Sequence, residues 1–342
     1  MLLKQLTELN GVSGNEDKVR DFIVQNIKPY CDDIIIDSMG SVIAYKKGTA
    51  ANGKTVMFCA HMDEVGFIVS DITDKGFVKF KQVGGIDDRI LLTQKVVIQN
   101  EKQDVPGVMG IKAVHLQTRA ERGNVVSGDS MYIDIGAKDK QDALKYVSKG
   151  DYIAFDSEYT EFGDGFVKAK ALDDRAGCAV MLELVKGSYK NDLYFCFSTQ
   201  EEVGLRGARV IAHRLNADVA IVLESTTAAD VPFTDEYLYC STLGGGAVIS
   251  IMDRASYANK NLNQFVQSIA DQNNIKYQFK RTINGGNDAG GIQATSSPVK
   301  VCAISLPCRY IHSPVSTAKL CDVDSVFELA QKIAQNIHSF EV

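Results

Sequence analysis

The sequence predicts an α/β protein in three layers, a sheet between two sets of helices, interrupted by an inserted all-β module. Three observations carry that expectation. Runs such as TVMFCAH (55–61), DLYFCFST (192–199), ADVAIVLE (217–224) and VKVCAISL (299–306) are apolar at nearly every position, as strands buried on both faces are. Helical patterns alternate with them: DRAGCAVMLELVKG (174–187), GLRGARVIAHRL (204–215), NKNLNQFVQSIADQNN (259–274) and DVDSVFELAQKIAQNI (322–337). Such alternation builds a sheet covered on both sides. Between about 70 and 165 the texture changes. Short strand patterns, GFVKFKQV, KVVIQ and SMYIDIG, are separated by Gly- and Asp-rich turns, and only KDKQDALKYV reads as helical.

The expected division is therefore a discontinuous catalytic α/β domain, 1–69 plus 166–342, carrying a β-rich module at 70–165. Before residue 60 come two helices and then the strand patterns DIIID, SVIAY and TVMFCAH. The stretch SGNE (13–16) has the form of a capping box, Ser13 and Glu16 closing the start of the helix DKVRDFIVQNI.

Composition narrows the function. A net charge of −6 over 342 residues, with no basic cluster interleaved with aromatics, argues against a nucleic-acid face. No run approaches the ~18 apolar residues of a membrane span, and Lys4 and Glu8 make MLLKQLTELN unlike a signal peptide. Eight scattered cysteines without a CxxC read as reduced thiols of a cytoplasmic protein.

Ligands gather at the carboxyl ends of strands in such sheets. Polar residues that follow the apolar runs are His61 and Asp63 in AHMDEVGF, Asp173 and Asp174 in ALDDRAG, Glu201 and Glu202 in STQEEVG, Glu224 in IVLESTTAAD, and His312 in RYIHSPV. Two imidazoles with several carboxylates suit zinc, cobalt or manganese. One catalytic ion needs only three protein ligands, so this surplus points to two ions, roughly 3.5–4 Å apart in such centres. That also explains adjacent glutamates: one holds metal while its neighbour shuttles a proton for the attacking water.

The motifs AHMDEVGF, ALDDRAG, TQEEVGLRGA, GGNDAG and RYIHSPV resemble those of the M42 metallo-aminopeptidases, which include glutamyl aminopeptidases, the tetrahedral TET aminopeptidases and proteins once labelled endoglucanase M. The resemblance extends to GVMGIKAVHLQ in the inserted module. It implies a zinc-peptidase-type fold with a β-rich dimerisation domain, peptide substrates and self-association to a dimer or dodecamer. It further implies that His61, Asp173 and Glu224 hold one ion and Asp173, Glu202 and His312 the other, with Glu201 as general base and Asp63 orienting His61. Many relatives carry Asp where this chain has Glu224, an acid where it has Ser316, and His where it has Gln293.

Blander readings stand beside these. His61 alone fits a core histidine, Asp173 and Asp174 fit acids at a helix start, and Glu201 and Glu202 fit caps. Asp230 or the Thr226–Thr227 pair could replace Glu224. Arg309 reads equally as a surface salt bridge or a substrate contact. His115 suits an interface, and LGGGA (243–247) reads as backbone close to the active site. Two rival functions are glycoside hydrolysis by paired carboxylates, which the absence of Trp disfavours, and a non-catalytic assembly or peptide-binding subunit.

Overall fold

Strand Thr55–His61 shows why its sequence is apolar throughout: Val56, Phe58 and Ala60 enter one core while Met57 and Cys59 enter another. Val219–Thr227 divides in the same way, with Val219, Ile221 and Leu223 against Ala220 and Val222. Alternate side chains leave opposite faces of a strand, so burial on both faces demands apolar residues at both parities.

The computed structural model describes residues 2–50, 53–100, 102–295 and 299–341. Its main sheet has eight strands in the order Asp33–Ile36, Val42–Lys46, Asp192–Ser198, Thr55–His61, Val219–Thr227, Lys300–Cys308, Ala247–Ile249 and Tyr277–Phe279. The four central strands are mutually parallel, while antiparallel pairs join Asp33–Ile36, Val42–Lys46 and Ala247–Ile249 to the sheet. Helices Leu172–Leu184, Lys260–Gln272 and Leu320–Asn336 pack with Leu3–Glu8 and Asp17–Ile27 on one core. Arg206–Arg214 and Asp288–Gln293 cover the other face. Three layers result, as the alternation implied.

Between two of the central strands the chain makes a closed six-stranded barrel, ordered Gly66–Ile72, Val78–Val83, Tyr132–Asp134, Asp104–Gly110, Lys95–Gln99 and Tyr152–Phe155. Its core centres on Phe67, in edge contact with Phe80 at 5.2 Å and Phe155 at 5.3 Å. Its first strand starts at Gly66, inside the segment assigned to the α/β part, because the run after His61 continues straight into it. The stretch KDKQDALKYV is α-helical only over Lys140–Ala143. Strands Thr160–Phe162, Phe166–Ala169 and Ser316–Lys319 form a separate antiparallel sheet. Among the described residues no helix is long and apolar enough to cross a membrane, and all eight cysteines are free.

The capping box does not form. Helix Asp17–Ile27 has no side-chain cap. Ser13 Oγ instead donates to Asp63 Oδ2 at 2.6 Å, and Glu16 Oε1 accepts from the Gly14 and Gln200 amides at 2.9 and 3.0 Å. Gly14 lies in the left-handed region at φ +91°, where a Cβ would stand 2.7 Å from the Tyr152 hydroxyl, so the segment is pressed against the barrel.

A buried ionic cluster ties these parts together. Lys170 Nζ donates to both Glu64 oxygens, at 2.6 and 2.8 Å, and to the Leu9 carbonyl at 3.1 Å. Arg175, wholly buried, donates to the Met62, Leu6 and Leu9 carbonyls. Breaking a buried pair from one side strands the other charge and costs about 3–5 kcal/mol. Lys170→Met is therefore expected to destabilise the protein by about that much in urea unfolding; a loss below about 1 kcal/mol would show that the Gly11 amide, 2.9 Å away, and the Arg175 guanidinium, 3.5 Å away, satisfy Glu64 without Lys170.

Candidate metal centre

At one end of the parallel strands the sheet parts. Val219–Thr227 pairs with Thr55–His61 only as far as Val222 opposite Cys59, and the space beyond opens beside His61. A cavity of about 320 Å³ fills it, lined by His61, Asp173, Glu201, Glu202, Glu224 and His312 among others. Residues far apart in sequence thus meet at one place. Glu224 does not follow its strand, as the sequence pattern suggested; it lies within it, opposite Ser305.

The backbone bends sharply to deliver these groups. Ala171, Gln200, Tyr310 and His312 all have left-handed φ between 53° and 58°. Non-glycine residues rarely adopt that region, and such conformations collect at functional sites. Asp173 and Asp174 open helix Leu172–Leu184.

Asp173 lies between the two imidazoles. Its Oδ1 is 3.3 Å from His61 Nε2, and its Oδ2 is 3.3 Å from His312 Nε2. Glu224 Oε2 lies 3.6 Å from His61 Nε2, and Glu202 Oε1 lies 3.3 Å from His312 Nε2. Candidate ligand atoms of His61, Asp173 and Glu202 lie within 4.8 Å of one another, as do those of His61, Asp174 and Glu224. Asp174 thus joins the cluster that the sequence left open as a simple helix-start acid.

The far nitrogens of both histidines are held. His61 Nδ1 lies 3.1 Å from the Asp63 carbonyl and 3.5 Å from that residue's carboxylate. His312 Nδ1 lies 2.8 Å from the Gly85 carbonyl, on a loop of the barrel. Asp63 itself does more for the neighbouring turn than for the imidazole: its two oxygens accept the Glu201 and Glu202 amides at 3.0 and 3.1 Å.

The donor set fits a divalent ion. Glu202 Oε1 and Asp174 Oδ2 are buried and make no hydrogen bond, although Glu202 Oε1 stands close to His312. Buried polar atoms normally find partners, and Glu202 and Asp174 each belong to one of the two candidate ligand groups. Electrostatics agrees. Burial, then the charge of nearby acids, pushes the Glu201, Glu224 and Asp174 carboxyls well above the usual range and Glu202 to about 7. Burial alone would lower His312, but Asp173 and Glu202 raise it to about 9. Burial likewise opposes ionisation of Asp173, yet the two imidazoles hold its carboxyl below the ordinary value. A cation here would satisfy the orphaned oxygens and relieve the mutual repulsion.

Other expectations are redirected. The Arg309 guanidinium is paired bidentately to Asp230 at 2.8 Å for both contacts and does not line the cavity; the same pair takes Asp230 away from the cluster. Thr226 and Thr227 line the cavity beside Glu224 without replacing it. LGGGA lies elsewhere, with the Gly244 and Gly246 amides donating to Asp322 at 2.6 and 2.7 Å. Gln293 makes two hydrogen bonds to the Tyr257 backbone, and Ser316 Oγ donates to the Tyr310 carbonyl. His115, His213 and His338 lie outside the cluster.

An α/β mixed sheet with such a donor cluster suits a metal-dependent enzyme, and comparison with known proteins supplies the class. The family model described as "M42 glutamyl aminopeptidase" matches residues 40–329. The chain belongs to the M42 peptidase family and is an aminopeptidase, a peptide hydrolase. It is 39% identical to a putative aminopeptidase of Acetivibrio thermocellus, with 96% of each chain covered. With the lysyl aminopeptidase of Pyrococcus furiosus it shares 32% identity, over 98% of this chain and 96% of the other. Among solved structures, an aminopeptidase from Desulfurococcus kamchatkensis superposes with a TM-score of 0.95 at 35% identity, covering 100% and 97% of the two chains. The TET1 peptidase of Pyrococcus horikoshii, described as assembling into a tetrahedron or a large octahedral shell, gives 0.88 at 33%, covering 97% and 98%. These findings favour peptide hydrolysis over the glycoside-hydrolase alternative.

Asp173 contacts both imidazoles, so Asp173→Ala is expected to lose bound metal while remaining folded. Metal content by mass spectrometry, with circular dichroism as control, checks this; full metal occupancy would remove Asp173 from the cluster.

Proposed function

We propose that this aminopeptidase is cocatalytic, using two divalent ions per subunit, zinc, cobalt or manganese, to remove N-terminal residues from peptides. The observation that carries the reading is Asp173, whose two oxygens each face a different histidine at 3.3 Å. His61, Asp173 and Glu224 would hold one ion, and Asp173, Glu202 and His312 the other, with Asp174 beside the first. Bound ions supply Lewis-acid polarisation of the scissile carbonyl and a more acidic water. The protein's own groups do the rest. Glu201 lines the cavity and, kept protonatable by its dry surroundings, takes the proton of the attacking water and returns it to the departing amine. Asp63 fixes the turn that carries Glu201.

The rest of the cavity lining supports a preference among substrates. Lys280 and Thr282 line the same cavity as the acids; Lys280 Nζ donates to the Asn284 carbonyl at 2.9 Å, and the buried Thr282 Oγ is unpartnered. Lys280 is the one Lys or Arg among the described residues lining that cavity, which favours substrates with an acidic first side chain.

The barrel supports a role in self-association. Val114, Leu116 and Val125 are more than 60% exposed, and two of them line one groove of about 580 Å³. Exposed apolar surface of this kind marks interfaces, and related TET peptidases are described as a dodecamer and as assembling into a tetrahedron or a large octahedral shell. Free buried thiols support a cytoplasmic location.

Glu201→Gln is expected to bind metal as wild type does and to lose about 10²–10⁴ in kcat on an aminoacyl-nitroanilide. Retained turnover would transfer the proton role to another group, whereas activity that survives EDTA would end the metal mechanism. Lys280→Glu is expected to lower kcat/KM for glutamyl-nitroanilide by about tenfold or more, since like charges brought together cost several kcal/mol, and to leave alanyl-nitroanilide unaffected. Equal losses on both substrates would place Lys280 outside the specificity pocket.

A further inference from the structure

The segment SGNE has the local form of a capping box, yet its side chains turn away from the helix they precede. Ser13 and Glu16 are each 5% exposed. Glu16 reaches the turn that carries the adjacent glutamates directly, and Ser13 reaches it through Asp63. Glu16 Oε1 accepts the Gln200 amide at 3.0 Å, one residue before Glu201. Ser13 Oγ donates at 2.6 Å to Asp63 Oδ2, the atom that also accepts the Glu202 amide at 3.1 Å, while Asp63 Oδ1 accepts the Glu201 amide at 3.0 Å. Three successive amides, of Gln200, Glu201 and Glu202, therefore end on carboxylates, and two of those three bonds go to a carboxylate that Ser13 holds.

We propose that Ser13 and Glu16 are positioning residues for the Gln200–Glu202 turn, aiming Glu201 into the cavity and Glu202 towards His312. The inference rests on the site reading given above.

The physical need is specific. Gln200 has a left-handed φ of 56°, a conformation that persists only where the surroundings over-determine it. The turn also draws two like-charged side chains into a dry pocket, so each tends to swing apart from the other. A bond to the Gln200 amide opposes that by fixing the peptide at the entry to the turn. The segment is itself well placed to hold a position. The Ser13 amide donates to the Glu64 carbonyl at 3.2 Å and the Glu64 amide to the Gly11 carbonyl at 3.0 Å, so residues 11–13 run alongside the chain that delivers His61 and Asp63. Gly14 abuts Tyr152 of the barrel. Two parts of the fold thus brace one anchor.

The test compares Glu16→Ala with Glu16→Gln, which keeps an oxygen acceptor, and adds Ser13→Ala. Two readouts are taken: stepwise affinity for zinc by competition with a chromophoric chelator, and kcat and KM on an aminoacyl-nitroanilide. Loss of partners of this outer kind typically costs 10–100-fold in metal affinity or activity. Glu16→Ala is expected to weaken one of the two zinc-binding steps and to lower kcat by about 10- to 100-fold, with KM held and Glu16→Gln restoring both. Ser13→Ala is expected to move the same step in the same direction. The proposal is overturned if folded Glu16→Ala matches wild type in both readouts, if Glu16→Gln fails to rescue, or if both zinc steps weaken together with a lower Tm, the mark of general loosening. Failure of the wild-type chain to bind zinc or to release an N-terminal residue would instead sink the reading of the site itself.

Discussion

Like charges drawn together in a buried site repel one another, and here Asp173, Asp174, Glu201, Glu202 and Glu224 converge around two imidazoles. Left alone, such a group takes up protons, which is what the upward shifts of Glu201, Glu202 and Glu224 express. Cations resolve the conflict. Most of the surrounding architecture can be understood as holding these acids together until cations do so.

That holding is done largely by backbone. Ordinary strand pairing brings Ser198 alongside His61, which brings the glutamate turn next to the first histidine. Asp63 then binds two amides of that turn, and a barrel carbonyl fixes His312. Gly177 shows how tight the arrangement is, since a Cβ there would meet Asp174 Oδ2 at 2.5 Å. The inserted barrel is therefore not a bystander to the chemistry: its Gly84–Gly85 loop lies against Glu202 and His312. Positioned ligands and their outer partners together set how strongly a metal is held.

Much of this was legible in the chain. Apolar runs marked the central strands because burial on both faces leaves no place for polar residues, and the amphipathic stretches marked the helices. His61, Glu201, Glu202 and His312 were visible because polar residues immediately after such runs are unusual. Small strands such as Ala247–Ile249 and Tyr277–Phe279, at one end of the sheet, were not, since three residues carry too little periodicity to register. The fate of SGNE was equally hidden, because a capping box and an anchor for a distant turn use the same residue types at the same spacing.

The sequence by itself marked the central strands, the main helices and the side chains with the chemistry to hold metal, because periodicity and side-chain type are local properties. Only the tertiary structure decided their partners. It gave Asp173 a histidine on each side, took Arg309 to Asp230 and away from the cavity, and sent Glu16 to the Gln200 amide. Such choices depend on distances between segments separated by tens to hundreds of residues, and those distances exist only once the sheet has assembled and the barrel has closed beside it.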